Sequence, residues 1–373
     1  MQIYKICIFP CTITDYYSRM DKRVTINDVA SAAGVSKGTV DRVLHNRPEV
    51  SKATAERVMR IIEEMGFKPN INASLLAQGE RRSIVCILPQ HKKGEVWELW
   101  DNGIEMARDY ADRYGISIDS VMYDQYDLSS YDEVCADVLT REPAGVILAP
   151  MFNVGTIKFT RQLRAEGIPY IYIDTKTDDD GYFGFFGMPM YQSGYLAGHL
   201  LAMRCPADIR EVVNVRILRD SRNLSDPTLM RRTGFRNYIN EHLPECKVRE
   251  VFINPKSEKE IREVLDAQLL PSVAKGPVYI VVFNSRVHLL AAYIRERSLT
   301  GKCHIIGFDS LSKNIDAVRD GSVDVLVAQH CDLQMNKAVH ALVDYLTFGL
   351  DLQRRDNYTQ MDILNSINCD YYD

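Results

Sequence analysis

One short stretch of the chain carries side chains suited to reading the edges of nucleic-acid bases. Arg42 has a planar guanidinium whose paired donors match the O6 and N7 acceptors of guanine. Three neighbours are further candidates for base contacts: Lys37, Gly38 and Asp41. The Asp41 carboxylate would either accept from a cytosine amino group or orient Arg42. Hydroxyl and amide groups nearby are better suited to phosphate oxygens, namely those of Ser36, Thr39 and Asn46.

Three short helices are predicted to position these side chains. The first has an apolar face formed by Ile26, Val29, Ala30 and Ala33. Gly34 supplies a tight turn, because glycine takes a positive φ without steric cost. Ser36 is placed to cap a second helix, Lys37 to Leu44. Ser51 begins a third helix that ends before Gly66, with a predicted buried stripe of Ala55, Val58, Met59, Ile62 and Met65. This order is typical of a helix-turn-helix, whose second helix enters the DNA major groove. The alternative is a three-helix bundle with surface charges.

Three motifs in this region resemble the lactose-repressor (LacI/GalR) family of bacterial transcription regulators. They are TINDVASAAGVSKGTV from Thr25 to Val40, RVLHNR from Arg42 to Arg47, and FKPNINASLLA from Phe67 to Ala77. The resemblance extends from Val24 to about Asp362. The family usually has serine where Asp41 stands, so the base preference at that position is expected to differ.

The resemblance implies that the segment from Asn70 to Gln78 is a hinge helix. Two copies would pack in the minor groove of the operator, and Leu76 would wedge between base pairs and kink the duplex. About nine residues are too few for a stable isolated helix in water, so the segment is expected to fold on DNA. An ordinary linker is the alternative.

Length and charge set the expected domain organisation. The 373 residues allow more than one compact unit. We predict an N-terminal extension over 1–20, which is either a disordered arm or not translated from Met1, with an added strand as the alternative. A helix-turn-helix domain over 21–69, a hinge and linker over 70–82, and an effector-binding and dimerisation domain over 83–373 follow. Residues 21–81 carry a net charge of +2 and residues 82–373 carry a net charge of −8. This difference agrees with binding of nucleic acid by the N-terminal region.

The remainder of the chain alternates short apolar strands with helices from Ser83 onward. Examples are SIVCILP, AGVILAP, IPYIYID, PVYIVVF and CHIIGF. This alternation predicts an α/β fold with parallel sheets, and the number of strands favours two lobes. The resemblance implies a type I periplasmic-binding-protein-like domain. Ligands of such sheets bind at the carboxyl ends of strands, which nominates Gln90, Pro150, Asp174, Asp220, Asn284 and Asp309.

The resemblance also implies which residues bind an effector, usually a sugar. They are Asp174, Arg231, Asn284, Asp309 and Gln329, whose groups together donate to and accept from hydroxyls. Sugar faces stack on aromatic rings, so Trp97, Phe185 or Phe186 would line the cleft. Other interpretations remain open: Asp309 capping a helix, Arg231 or Arg232 as a surface charge, and Trp97 in the core. The basic loop at His91, Lys92 and Lys93 would recognise an anionic effector or would simply be solvated.

These observations predict a cytoplasmic transcription regulator, a repressor, acting as a homodimer on near-palindromic operator DNA. Its effector would be a sugar or sugar derivative, with a nucleobase as a variant. We expect no cofactor, no metal and no membrane segment. Nine cysteines without a C-x-x-C pair fit reduced thiols. Two rival functions are an enzyme, for which no G-x-S-x-G, P-loop or metal-spaced cluster is found, and a solute-binding protein, for which no signal peptide is found.

Overall fold

The computed structural model describes residues 26–44, 50–65, 82–218, 228–254 and 257–372. The chain divides into a front unit, Met1–Glu80, and a rear unit, Arg81–Asp373. Several predictions concern positions outside the described residues: the extension over 1–20, the hinge helix with Leu76, and the residues Asn46 and Asp220. The side chain of Asp41 is likewise outside the described part.

The front unit contains three helices around a small apolar core. They are α1 Ile26–Ala33, α2 Lys37–Leu44 and α3 Lys52–Met65. Gly34 between α1 and α2 has a φ of +63°, as the predicted turn requires. The fully or nearly buried residues of this core are Val29, Ala30, Ala33, Val40 and Val58. The prediction that Met59 is buried is wrong, since its side chain is 44% exposed and Ile61 packs on the core instead.

Serine caps begin both the second and the third helix of the front unit. The Ser36 hydroxyl accepts from the backbone N–H of Thr39 at 3.1 Å, and the Ser51 hydroxyl accepts from that of Thr54 at 3.3 Å. Each cap satisfies one of the backbone donors that a helix N-terminus leaves without a partner. The predictions of both caps are therefore confirmed.

The rear unit begins with a lobe, here called the N-lobe, that is built on a parallel sheet. Its strands are β1 Arg82–Pro89, β2 Ile116–Tyr123, β3 Gly145–Leu148, β4 Tyr170–Ile173 and β5 Gly184–Gly187. Its helices are α4 Glu98–Arg113, α5 Leu128–Thr140 and α6 Asn153–Ala165. All residues of β3, β4 and β5 are buried. Helices cover both faces of the sheet, which explains why these strands are apolar without alternation.

The chain then builds the C-lobe with the same plan. Its strands are β6 Glu211–Ile217, β7 Lys247–Ile253, β8 Val278–Val281, β9 Cys303–Phe308 and β10 Val325–Gln329. Its helices are α7 Met190–Ala202, α8 Leu229–His242, α9 Glu258–Val273, α10 Val287–Glu296 and α11 Ser312–Arg319. Two strands from the end of the chain complete the sheets, β11 Asp356–Tyr358 and β12 Met361–Leu364. The sheet orders are β11-β5-β4-β3-β1-β2 and β12-β10-β9-β8-β6-β7, so the lobes are two copies of one topology. The predicted two-lobed α/β fold behind a helix-turn-helix is confirmed.

The end of the chain returns to the N-lobe and then to the C-lobe. Helix α12, Cys331–Phe348, packs against α4 of the N-lobe, and β11, Asp356–Tyr358, pairs parallel with β5. Strand β12, Met361–Leu364, then pairs antiparallel with β10 of the C-lobe. The sequence analysis did not predict β11 or β12. Three segments of chain therefore connect the lobes.

A buried series of side-chain hydrogen bonds joins these three connections. The side-chain amide of Gln334, at the start of α12, donates to the Thr359 hydroxyl at 3.2 Å. The Thr359 hydroxyl donates to the carbonyl of Gly187, where β5 leaves the N-lobe, at 3.3 Å. Gln334 is fully buried. Because these hydrogen bonds join the three connections, all three together determine the positions of the lobes relative to each other.

Candidate functional site

The exposed surface of α2 carries the residues predicted to contact DNA. Ser36, Lys37, Gly38 and Arg42 are exposed, whereas Val40 is fully buried and fixes the opposite face of the helix in the core. Thr39 is half-buried, and its hydroxyl lies 2.9 Å from that of Ser36. A helix held on its inner face by Val40 presents its N-terminal half to a partner, as recognition helices do.

A buried cluster of three predicted effector-binding residues lies at the carboxyl edge of the C-lobe sheet. Arg231, Asp309 and Gln329 are each 4–5% exposed. The Gln329 amide donates to Asp309 Oδ1 at 2.9 Å, and the Arg231 Nη2 lies 3.9 Å from the same oxygen. Arg231 Nη1 donates to the Phe283 carbonyl at 2.7 Å, and its guanidinium lies over the Phe308 ring at 4.4 Å. The interpretation of Arg231 as a surface charge is therefore wrong.

This cluster has hydrogen-bonding capacity that the described protein atoms leave unused. In the described part of the chain, Arg231 Nε and Gln329 Oε1 are buried and have no hydrogen-bond partner. Buried polar atoms are nearly always satisfied, because an unmade hydrogen bond costs about 1–3 kcal/mol. One donor and one acceptor thus remain beside a carboxylate. That combination suits a hydroxyl, which both donates and accepts.

Asp174 and Asp309 occupy equivalent positions in the two lobes. Asp174 follows β4 and Asp309 follows β9, and these two strands hold the same place in their sheets. The Asp174 backbone N–H donates to the Phe186 carbonyl, and the Asp309 backbone N–H donates to the Val327 carbonyl. Both have left-handed backbones, with φ of +64° and +68°. Non-glycine residues in this region cost of order 1–3 kcal/mol and concentrate at functional sites. The same backbone device therefore places a carboxylate at the cleft edge of each lobe.

A buried thiol lies within the field of both carboxylates. Burial raises the pKa of the Cys331 thiol well above its usual range, and the charges of Asp309 and Asp174 raise it further. Arg231 acts in the opposite direction on the same group. Carboxylates of both lobes thus act on one buried group at the start of α12.

Asn314 organises the C-lobe side of the site, and the sequence analysis missed it. This fully buried side chain donates to the carbonyls of Ser285 and Asp309, each at 3.0 Å. Its carbonyl lies 3.0 Å from His288 Nδ1 and accepts from the His288 backbone N–H at 3.2 Å. Asn314 thereby joins the loops that follow β8 and β9. An asparagine within the short segment SLSKN carries no sequence signal for this role.

A polar cavity of 290 Å³ opens between the lobes at the carboxyl ends of their strands. The N-lobe lines it with the segment 92–97 and Gln125. The C-lobe contributes residues from the loops after β8 and β9 and from the first turns of α10 and α11: Ser285, Arg286, His288, Leu289, Leu311 and Lys313. Leu311 is also packed into the N-lobe core, so this loop bridges the two lobes. Leu311 holds the N-cap position of α11, so Asp309 is not the cap of that helix.

The structure places the other predicted cleft residues differently. Trp97 combines both interpretations, since it is 4% exposed, its ring lies tilted against that of Trp100 with centroids 4.5 Å apart, and it also lines the cavity. Phe185 and Phe186 are buried in the two N-lobe cores and are not among the cavity-lining residues. Gln90 is exposed and does not line the cavity, and the other predicted effector-binding residues do not line it either: Asp174, Arg231, Asn284, Asp309 and Gln329.

Two further residues near the cleft are engaged within the protein. The Asn284 amide donates to the Ile217 carbonyl at 2.7 Å, and its oxygen accepts from the Arg286 N–H at 3.2 Å. Asn284 thereby positions Arg286. His91 lies 2.7 Å from the Asp101 carboxylate through Nε2 and 2.9 Å from the Pro89 carbonyl through Nδ1. Both ring nitrogens of His91 are therefore used in holding the loop after β1.

Within the described ranges, no three His, Cys, Asp or Glu side chains come together as a metal site would require. Among the described helices, none combines the length and the apolar character needed to cross a membrane.

Comparison with known proteins agrees with this arrangement of parts. The profile described as bacterial regulatory proteins, lacI family, matches residues 25–70, and the profile described as periplasmic binding protein domain matches residues 85–350. The transcriptional regulator PtxS of Pseudomonas plecoglossicida is 46% identical over 72 residues, covering 19% of this chain and 21% of that protein. The probable transcriptional repressor ExuR of Bacillus subtilis is 26% identical over 157 residues, covering 42% and 44%. The alignments with these curated relatives thus span less than half of their length.

Solved structures extend the likeness over the rear unit. A crystal structure described as a LacI transcriptional regulator from Bacteroides fragilis has a TM-score of 0.73 and 32% identity, and it covers 79% of this chain and 100% of that one. A glucose-galactose binding protein, GanP, from Geobacillus stearothermophilus has a TM-score of 0.63 and 18% identity, covering 78% and 99%. At that identity, the second similarity concerns the fold alone.

Proposed function

Because this chain belongs to the LacI family of bacterial regulatory proteins, we propose that it is a sequence-specific transcription regulator, a repressor, controlled by a small-molecule effector. The effector is a sugar or a sugar derivative. The observation that carries the proposal is the joining of two parts in one chain. A helix-turn-helix with an exposed α2 precedes a two-lobed domain that has a buried Arg231–Asp309–Gln329 cluster at the carboxyl edge of its C-lobe sheet.

Recognition of DNA is assigned to the exposed face of α2. Arg42 supplies the guanine contact, with Lys37, Gly38 and Asp41 facing neighbouring bases. Phosphates are held by Ser36, Thr39 and Asn46 and by the N-terminus of α2. Leu76 of the hinge segment is the proposed minor-groove wedge. We infer a homodimer, because a two-fold symmetric protein matches the symmetry of a near-palindromic operator.

The effector acts through the relation between the lobes. Its contacts come from Asp174 in the N-lobe and from Arg231, Asn284, Asp309 and Gln329 in the C-lobe, with Trp97 beside them. A ligand that bridges both lobes binds one arrangement of the lobes better than another, and that difference is what shifts the equilibrium. The changed arrangement alters how the two front units of a dimer fit two half-sites together. The site of action is the cytoplasm, where the DNA is.

The second candidate function is a solute receptor without a regulatory role. It is favoured by one observation, the fold shared with the glucose-galactose binding protein. The front unit argues against it, because a solute receptor has no use for a helix-turn-helix. We propose no enzymatic activity: the Cys331 thiol near the cluster is buried, and burial raises its pKa, which disfavours the nucleophilic thiolate.

A binding assay with the full chain tests the proposal. Fluorescence anisotropy would compare a labelled duplex from the region upstream of the protein's own gene with a scrambled duplex, at 50 mM and 200 mM salt. We expect tight binding of the first duplex only, weakening steeply with salt as counterions are released. Addition of a sugar panel should change that affinity. Absence of any sequence preference under every small-molecule condition would contradict the proposal.

Replacing Arg42 tests the assignment of the recognition residue. We expect Arg42→Ala to weaken operator binding by about 1–3 kcal/mol and to relax the preference at one base pair. Arg60→Ala is the matched control, since Arg60 is an exposed arginine on α3, which is not the proposed reading helix. Equal weakening on operator and scrambled duplex would show that Arg42 contacts phosphate instead.

A further inference from the structure

We propose that the effector carries a negatively charged group, a carboxylate or a phosphate, which is held in the cleft by Lys92, Lys93, Arg286 and Lys313. The inference rests on the proposed function, because it specifies the class of ligand that the same cleft binds. The negative charge distinguishes this ligand from a neutral sugar.

The first support is the charge of the cavity lining. The four cations come from the loops after β1 and β8 and from the first turn of α11, and all of them line the same 290 Å³ cavity. One carboxylate lines it, that of Glu95, whose Oε2 accepts the Lys92 backbone N–H at 3.0 Å. The rest of the rear unit is acidic, with a net charge of −8 over residues 82–373. A local excess of cations in an acidic domain points to an anionic partner.

The second support is that these cations have no carboxylate partners. Over the described ranges, no acidic oxygen lies within 4.0 Å of the side-chain nitrogens of Lys92, Lys93, Arg286 or Lys313. Many arginines elsewhere in the rear unit are paired, for example Arg297 with Asp266 at 2.5 Å and Arg204 with Asp324 at 2.6 Å. The Asp309 carboxylate does not balance the cavity charge, since it accepts from Gln329 and faces Arg231.

The third support is the effect of this charge on a neighbouring imidazole. Burial is the largest cause that lowers the pKa of His288, the hydrogen bond to the Asn314 carbonyl raises it, and the charges of Lys313 and Arg286 lower it further. His288 lines the cavity together with those two cations. The two cations thus act on the imidazole in the direction of a positive potential, which also stabilises a bound anion.

Helix dipoles add to the same potential. Helix α10 begins at Val287 and α11 begins at Ser312, directly after the cavity residues Arg286 and Leu311. Neither N-cap side chain accepts a hydrogen bond from its helix. The positive end of each helix therefore lies at the cavity, where a negative charge is stabilised.

Size and apolar contacts restrict the ligand further. Pockets for drug-sized ligands are roughly 300–1,000 Å³, so a 290 Å³ cavity suits a single sugar ring rather than an oligosaccharide. Trp97, Leu289 and Leu311 supply apolar surface for the carbon faces of that ring. The geometry therefore favours a monosaccharide acid or a monosaccharide phosphate.

Closure of the cleft follows from the same charges. Lys92 and Lys93 belong to the N-lobe and Arg286 and Lys313 to the C-lobe, so like charges face each other across the cavity. An anion between them offsets this repulsion and favours the arrangement in which the lobes are close. A switch requires that the effector bind one arrangement of the lobes more tightly than another. The charge of the effector supplies that difference in affinity.

Matched ligand pairs test the inference with the full-length protein. Intrinsic fluorescence reports on the cleft directly, because Trp97 lines it and both tryptophans of the chain, Trp97 and Trp100, lie there together. Glucose and galactose would be titrated beside glucuronate, galacturonate, gluconate and the two 6-phosphates. We expect an anionic compound to bind at least tenfold more tightly than its neutral parent, and less tightly as salt rises. Comparison of the sugar acids with the sugar phosphates shows whether the cleft prefers a carboxylate or a phosphate.

Charge-removing variants locate the anion. We expect Arg286→Gln with Lys313→Gln to weaken binding of the anionic compound at least tenfold while leaving the melting temperature of the unliganded protein unchanged. Lys275→Gln is the control, since Lys275 is an exposed C-lobe lysine at the opposite end of β8. The inference is overturned if neutral sugars alone bind, if no anionic compound binds, or if the double variant binds the anion unchanged. Operator binding without ligand, measured in parallel, reports separately on the proposed function.

Discussion

Replacing Arg231 by methionine is expected to lower the free energy of unfolding of the rear unit by about 3–5 kcal/mol, the usual loss when one partner of a buried charge pair is removed. The Arg231 and Asp309 side chains are only 6% and 5% exposed. Without the guanidinium, the Asp309 carboxylate loses the cation that faces it, and the Phe283 carbonyl loses its 2.7 Å donor. Urea unfolding followed by tryptophan fluorescence measures the loss, because both tryptophans belong to the rear unit.

A double variant separates stability from effector binding. Asparagine at 309 is uncharged, tolerates the left-handed φ of +68° and still accepts from Gln329. Arg231→Met with Asp309→Asn should therefore recover about 2 kcal/mol of the lost stability, the unpaired-charge part of the penalty. The double variant should bind its operator but no longer respond to effector. A double variant that responds normally would remove this pair from the site.

The neighbouring arginine provides the control for this experiment. Arg232 lies 3.2 Å from Glu250, which also contacts Arg216 at 3.3 Å and Arg236 at 2.8 Å. Arg232→Met leaves the Glu250 carboxylate with two arginines, so we expect a loss of about 1 kcal/mol or less. Equal losses for Arg231→Met and Arg232→Met would contradict the argument from burial.

The second large loss of stability is expected from substitutions where helices α7 and α8 cross. A Cβ placed on Gly194 would lie 1.7 Å from the Arg231 carbonyl oxygen, and one on Gly234 would lie 2.0 Å from the Tyr191 carbonyl oxygen. Because backbone atoms cause both clashes, no side-chain rotation relieves them, and the helices must separate. We expect Gly194→Ala and Gly234→Ala each to reduce the free energy of unfolding by about 3 kcal/mol, the upper part of the range for overpacking.

The α7–α8 crossing also carries Arg231, a proposed effector-binding residue, so its disruption should have a functional consequence. Gly194 contacts the backbone of Arg231 itself, and separation of the helices displaces that guanidinium from Phe283. Effector affinity should fall with stability in both variants. Gly155→Ala on α6 is the control, since its new Cβ would meet only side chains, the nearest being the exposed Leu128 at 3.1 Å. There we expect no loss, or a gain of up to about 1 kcal/mol from helix propensity. A loss at Gly155 equal to that at Gly194 would contradict the backbone-clash explanation.

Local chemistry explains what the sequence predicted correctly. The Gly34 turn and the Ser36 and Ser51 caps were predictable because each depends on residues within one helical turn. Strand β9 was predicted with its observed bounds from CHIIGF, since a run of apolar residues between turn signals is a local pattern. Met59 shows the limit of periodicity, because helical spacing allowed it on the buried face of α3, whereas packing placed Ile61 on the core and Met59 outside.

Tertiary structure alone decided which polar groups meet. Asn314 joins Ser285 to Asp309 across 29 and 5 residues of sequence, and no periodicity records such a contact. The cavity gathers Lys92, Arg286 and Lys313 from separate segments of both lobes, so the sequence showed only one basic segment of the three. Strands β11 and β12 are short and only partly buried, and they are strands because the edges of β5 and β10 offer them partners. The sequence by itself thus determined the helices, the principal strands and the residue types at their ends, because these depend on near neighbours. The lobe-to-lobe connections and the charge of the cleft depend on contacts between distant segments, which exist only in the folded chain.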